Sequence, residues 1–338
     1  KYSFLLESVE GGDQRGRFSL LGCNPDLIWS VNNNKINIES SDDSIKQNLL
    51  TESNPINSLK KLLNFSKISN NNYDTPYPVL VGYLGYPMIR YMENINFRNP
   101  DKLKIPEAMM IRPKLVAVFD NIKDTINIMT AIYPKKEIDA ETAYNQANLR
   151  ILNVIKQLQS DKIDNSKDNK NKLNEKMDFI SNYTKKEYFD IVNKAKSYIQ
   201  LGDIFQVVPS QRFETDYLLD AKNLYRSLRR LNPSPFLVNL NFNSFGLVAS
   251  SPEILVRLRD NKVTIRPIAG TRKRGKDTNE DLILSKDLLN DQKELAEHLM
   301  LLDLGRNDVG RVTKIGSVNV TEKMIIEYYS HVMHIVSN

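Results

Sequence analysis

One cysteine, Cys23, in 338 residues excludes an intrachain disulfide and points to a reducing compartment, the cytoplasm or a plastid stroma. The same scarcity bears on catalysis. Hydrolysis of glutamine normally needs a Cys paired with a His in a recognisable setting, and Gly22-Cys23-Asn24 is not one. Following an apolar run, Cys23 reads as a buried structural thiol. No apolar stretch is long enough to span a bilayer, and the run at 2–8, closed by Glu7, is too short for a signal peptide. No G-x-G-x-x-G or Walker pattern occurs, which removes the familiar phosphate-cradling loops. The net charge of +6 does not signal nucleic acid, because Lys is scattered among Asn and Ile. The one basic cluster, 266–276, holds two Gly and a Pro but no aromatic for base stacking.

What is present is the composition of an ordinary globular chain, 41% hydrophobic and 26% charged, long enough for two domains. The chain opens without Met, and 2–8 already reads as a strand, so the natural N-terminus is expected upstream. Residues 161–176 are polar and low in complexity, a solvated linker or disordered loop. The expected organisation is an N-terminal region 1–160, a linker 161–178 and a second region 179–338.

Strand pairs are expected at 27–31 with 35–38, across an Asn run, and at 114–119 with 125–130. The apolar run 79–84 is stopped by Gly85 and Pro87. Thr184 and Glu187 have capping-box spacing. The helix they open presents Tyr188, Ile191, Val192, Ala195 and Ile199 on one face and ends at Gly202. A second helix is expected near 222–231, and strands at 236–242, 246–249, 255–258 and 263–268. A further helix from Asp291 is expected to bury Leu295, Leu299 and Leu302. Hairpins separated by helices predict an α+β fold, antiparallel β-sheets packed together with helices outside.

On the helix from Asp291, Glu294 and Glu297 share a face, with His298 one turn from Glu294. Paired carboxylates suit Mg²⁺, which takes oxygen ligands and keeps several waters. Alternatively, Glu294 completes a capping box with Asp291. The segment 265–274 offers Gly270, the Thr271 hydroxyl and several cations, which would hold a carboxylate or simply form a basic turn.

In order along the chain stand Ala269-Gly270-Thr271-Arg272 with Arg274-Gly275, then Asp291 with Lys293-Glu294-Leu295-Ala296-Glu297-His298. Asp303-Leu304-Gly305-Arg306-Asn307-Asp308 and Val332-Met333-His334 follow. Together they resemble the chorismate-binding domain shared by anthranilate, aminodeoxychorismate, isochorismate and salicylate synthases, across nearly all of 179–338. The resemblance implies that Glu297 binds Mg²⁺, with Glu294 near the metal or the leaving group. It implies that Gly270 and Thr271 contact chorismate and that His334 assists departure of the ring hydroxyl. His331, with no motif of its own, is expected to be structural.

Gln206, which the resemblance places at the substrate, follows Gly202-Asp203 in a strand where water-adding relatives carry a Lys base. A Gln cannot accept a proton at neutral pH. Ala269 stands where aminodeoxychorismate synthases often carry a Lys nucleophile. The resemblance therefore implies the anthranilate synthase route: Mg²⁺-dependent amination of chorismate by ammonia, with loss of pyruvate. Ammonia would come from a separate glutamine amidotransferase subunit. Component I of aminodeoxychorismate synthase is the alternative within the family, and a noncatalytic effector-binding fragment the alternative outside it.

Leu5-Leu6-Glu7-Ser8 and Asn232-Pro233-Ser234-Pro235-Phe236-Leu237 resemble the elements of the family's feedback site for tryptophan. The two prolines would stiffen a loop, and the Glu7 carboxylate could bind the ligand's ammonium. Many relatives have Tyr-Met in place of Phe236-Leu237. Family members also continue past the position of Asn338, where they carry a second acidic Mg²⁺ ligand and a substrate-holding Tyr and Arg. The resemblance thus implies that these 338 residues alone are inactive.

Overall fold

The computed structural model describes residues 2–10, 14–68, 75–97, 99–133, 138–160 and 177–338. Its contacts divide into two compact units, one formed by 1–160 with 224–338 and the other by 161–223. This division differs from two regions met in chain order at a linker. The proposed linker lies outside the described residues through 176.

The first unit begins with β1 (Tyr2–Glu7), β2 (Val9–Glu10), β3 (Gln14–Arg15), β4 (Phe18–Asn32) and β5 (Lys35–Ser40). Helices α1 (Asp43–Leu50) and α2 (Pro55–Phe65) follow, then β6 (Val81–Leu84), a 3₁₀ turn (Tyr86–Tyr91), β7 (Ala108–Asp120), β8 (Thr125–Met129) and α3 (Ala140–Leu158). The Asn run between β4 and β5 turns as expected, with Asn33 and Asn34 both at positive φ, 47° and 63°. Asn54 caps α2 by accepting from the Ile56 and Asn57 amides, and Pro55 fits the first turn because its missing N–H would have no helical partner. Alternation along β4 sends Leu27, Trp29 and Val31 to one face, where they meet Leu49, Leu62 and Met88. Trp29 is fully buried and its Nε1–H donates to Ser58 Oγ at 3.0 Å. Phe4, Ile28, Val81, Met109, Ile111, Leu240 and Phe242 form a second cluster.

The 161–223 unit contains β9 (Ile180–Ser181), α4 (Lys185–Gln200) and β10 (Phe213–Glu214). The Thr184–Glu187 capping box closes at both hydrogen bonds. No strand forms over 203–212, so the one expected around Gln206 is absent, and Gln206 is exposed.

Helix α5 (Ala221–Leu231) leads back to the first unit, through β11 (Phe236–Phe242), β12 (Gly246–Ser251), β13 (Arg257–Arg259), β14 (Lys262–Thr264) and β15 (Ile268–Lys273). Then come α6 (Thr278–Asn290), α7 (Gln292–Gly310), β16 (Ile325–Tyr328) and β17 (Val332–Val336). The large sheet runs β12-β11-β1-β4-β7-β6, with β5 on β4 and β8 on β7. A smaller sheet runs β15-β17-β16, and α6 and α7 pack against it around Leu288, Met333 and Ile335. Every pairing among the described strands is antiparallel, as expected of an α+β chain.

Two local expectations need correction. The strand drawn at 263–268 breaks, because β14 ends at Thr264 and Pro267 cannot donate to a ladder. The segment after it is therefore not a basic turn but the strand β15 itself. On α7, Leu299 is 52% exposed, while His298 and Gly305 are buried.

Candidate active site

The site is built on the small sheet. Thr271 of β15 and Glu327 of β16 both stand opposite His334 of β17, so all three side chains share one cross-strand row. The β15 register shifts between Ala269 and Thr271, and Gly270 there has φ +69°. That backbone is open to Gly and strained for other residues. A Cβ at Gly270 would meet Leu288 at 3.1 Å, Ile335 at 3.2 Å and the Glu294 carboxylate at 3.3 Å. The glycine thus lets the strand lie close to α7 and brings Glu294 against it.

The hydrogen bonds of His334 select its tautomer. Nδ1 lies 2.9 Å from the Gly270 carbonyl, which can only accept, so Nδ1 carries the proton. Thr271 Oγ1 lies 3.1 Å from the same nitrogen. Sharing that donor leaves the Thr271 hydroxyl hydrogen free to point at a ligand anion. The ring is held further by Tyr329, whose ring packs edge-on to it at 5.5 Å.

Tyr329 and Glu327 were not legible as site residues. Tyr329 donates to Glu327 Oε2 at 2.9 Å, and Arg266 grips both Glu327 oxygens and also reaches Glu322. Burial disfavours the Glu327 charge, but the bonds from Arg266 and Tyr329 outweigh it and hold the carboxyl below its ordinary value. Burial pushes the Tyr329 phenol up. Glu253, just beyond β12, is a further carboxyl close enough to sense the charge of His334. Burial raises it, while the Ile268 amide and His334 pull it down. A cleft of about 410 Å³ opens beside Glu253, lined by Pro267 and by Leu301, Leu304 and Gly305 of α7.

Asp291 caps α7 through the Lys293 and Glu294 amides, but the Glu294 side chain does not return the bond, so no capping box closes. Arg272 of β15 ties that cap to the sheet at 2.9 Å and holds the Asp291 carboxyl below its ordinary value. Neither the Glu294 nor the Glu297 carboxylate has a hydrogen bond or ion pair among the described residues. Two unpaired carboxylates three positions apart on one helix suit Mg²⁺, whose remaining positions water or a substrate oxygen can fill. No group of three or more His, Cys, Asp or Glu that could hold a metal occurs among the described residues.

His298 does not join them. It is fully buried, its Nε2 lies 2.7 Å from Ser337 Oγ, and burial pushes its imidazole down toward the neutral form. His331 serves the backbone, its carbonyl accepting from the Arg274 amide. The basic cluster is largely spent on internal pairs: Arg266 with Glu327, Arg272 with Asp287 and Asp291, Arg274 with Asp281. Ala269 is buried opposite Ile335. Gln206 belongs to the 161–223 unit, and its place at the substrate stays an implication of the resemblance.

The two segments expected at an effector site do meet. Glu7 stands opposite Leu237, and the Val9 amide donates to the Ser234 carbonyl at 2.9 Å. Ser234 Oγ donates to the Phe236 carbonyl and accepts from Ser250. Pro233 and Pro235 flank Ser234 and are half-buried, as is Ser8, whereas Phe236 is exposed. Leu237 is fully buried, so its side chain belongs to the core. Both oxygens of Glu7 are engaged, one by Tyr225 at 2.6 Å and the other by Arg229 at 3.2 Å. Glu7 therefore organises this corner. Cys23 is half-buried and free, with its thiol pushed up by burial, which disfavours the nucleophilic thiolate. No helix among the described residues is long and apolar enough to cross a membrane.

The family model described as chorismate binding enzyme matches residues 3–338. The chain is 49% identical to anthranilate synthase component 1 of Cereibacter sphaeroides, over 99% of this chain and 67% of that protein. It is 42% identical to anthranilate synthase component 1 of Acetivibrio thermocellus, over 99% of this chain and 68% of that one. The crystal structure of anthranilate synthase component I from Streptococcus pneumoniae TIGR4 superposes with a TM-score of 0.78 at 29% identity. That match covers 95% of this chain and 68% of the other.

Proposed function

This chain belongs to the chorismate binding enzyme family, and from that premise we propose that it serves as the large subunit of an anthranilate synthase. One observation carries the reading: the row Thr271–His334–Glu327 lies beside Gly270, with the unpaired Glu294 carboxylate directly behind that glycine. Ammonia adds at ring C2 of chorismate and the C4 hydroxyl leaves as water. Loss of the C2 proton and of the enolpyruvyl side chain as pyruvate then yields the aromatic ring. Thr271 donates its free hydroxyl hydrogen to a substrate oxygen, and Gly270 permits close approach of the backbone. Because Nδ1–H of His334 is committed to the Gly270 carbonyl, Nε2 is the atom that, with the ring in its doubly protonated form, delivers a proton to the departing hydroxyl, and the ammonium formed at C2 can return one to it. Glu294 and Glu297 would hold Mg²⁺, which supplies charge neutralisation and orientation of a substrate carboxylate when bound.

Gln206 and Ala269 supply neither a base for water nor an amine nucleophile, which supports free ammonia as the nitrogen source. We place its release from glutamine in a separate amidotransferase subunit. We assign tryptophan feedback to the corner where Ser8 and Pro233 to Phe236 meet. The direct test of the metal assignment is Glu297→Gln, which keeps shape and removes charge. Turnover should fall by orders of magnitude with little change in thermal midpoint. Unchanged activity with unchanged magnesium dependence would make Glu297 an ordinary surface carboxylate.

A further inference from the structure

We propose that His298 is a positioning residue which, through Ser337, sets the placement of the α7 carboxylates relative to His334. The proposal rests on reading Glu294 and Glu297 as metal ligands. Ser337 is a fully buried node joining α7 to the three strands of the small sheet. Its amide donates to the Pro267 carbonyl at the entry to β15. Its hydroxyl accepts from the Met324 amide at 2.9 Å, at the entry to β16, and meets His298 Nε2 of α7 at 2.7 Å. Ser337 itself follows β17, three residues after His334, and His298 directly follows Glu297. The short bond between the two side chains therefore couples the proposed metal ligand to the proposed proton donor through a few covalent links.

Two details argue that the imidazole is there for this bond and not to fill space. His298 Nδ1 is buried without a partner among the described residues, a cost that an apolar side chain of similar size would avoid. Met324 holds a positive φ of 53°, strained for a side chain of its size, and its amide is the one Ser337 fixes. A buried polar pair of this kind restricts the packing of α7 on the sheet to one arrangement.

The test compares His298→Leu, His298→Gln and Ser337→Ala in the natural polypeptide. Mg²⁺ affinity is read by calorimetry, ammonia-dependent kcat and KM by product formation, and stability by thermal midpoint. His298→Leu should retain a folded chain, weaken Mg²⁺ binding by about tenfold or more and lower kcat in parallel. His298→Gln, whose amide can reach Ser337, should recover most of both. Ser337→Ala should resemble His298→Leu, and the double variant should lose no more than the worse single one. If His298→Leu fails to fold, Ser337→Ala against His298→Gln makes the same comparison. Wild-type Mg²⁺ affinity and kcat in His298→Leu would overturn the proposal. A wild type that binds no Mg²⁺ would instead defeat the metal reading, and the positioning role would then stand or fall on kcat alone.

Discussion

Gly270 concentrates several demands on one residue. Its φ of +69° lets β15 bulge, its carbonyl fixes the His334 tautomer, and its missing side chain leaves room for the Glu294 carboxylate. Gly270→Ala should cost about 1–2 kcal/mol from backbone strain alone. It should also displace Glu294, since the new Cβ would sit 3.3 Å from that carboxylate. Urea unfolding and Mg²⁺ titration would check both, and a variant as stable and as metal-responsive as wild type would contradict this account. The sequence alone singles out Gly270, Thr271 and His334, because each sits in a short string of distinctive chemistry. Glu253 and Tyr329 were not legible in it, because their proximity to His334 depends on where β12 ends and how β16 pairs. Glu327 was hidden likewise, because its place opposite His334 follows from the turn in which the Tyr329 amide bonds the Val332 carbonyl.

At the level of elements, the link between β15 and α6 predicts a pH response. Asp281, near the start of α6, accepts from Arg274 and from the Gly275 amide, and its carboxyl is held below its ordinary value of 3.8, chiefly by Arg274. A depressed pKa means that the unfolded chain takes up the proton first. The stabilisation is therefore present above 3.8 and lost as pH falls through the folded value. Thermal midpoints followed down through that range should fall more steeply for wild type than for Asp281→Asn; parallel curves would sink the assignment. The contact between 7–9 and 232–237 predicts a second effect. Ser8→Ala or Pro235→Ala should weaken tryptophan inhibition and leave ammonia-dependent turnover intact, and superimposable inhibition curves would argue against an effector site there. Local signals sufficed for the Thr184 cap and the Asn33-Asn34 turn, where the deciding bonds lie within a few residues. The pairing of β1 with β11 joins residues more than half the chain apart, and no local pattern announces it. Leu299 misled because spacing gives a helical stripe but not which way that stripe faces. Here the buried stripe passes through His298 and Gly305.

For the whole molecule, the antiparallel architecture and the family both followed from patterns spread along the chain. The contacts draw 224–338 onto 1–160, because β11 and β12 complete the sheet that β1 begins. On the proposed function, a chain with this site aminates chorismate with free ammonia to give anthranilate. The most direct measurement incubates the natural polypeptide with chorismate and Mg²⁺, supplies either an ammonium salt or glutamine, and identifies the products. Anthranilate and pyruvate should form in equal amounts with ammonium, increasingly at alkaline pH where more of it is free ammonia. Glutamine should support no synthesis until an amidotransferase subunit is added. Isochorismate, salicylate or aminodeoxychorismate as the product, or efficient use of glutamine by the isolated chain, would contradict the account.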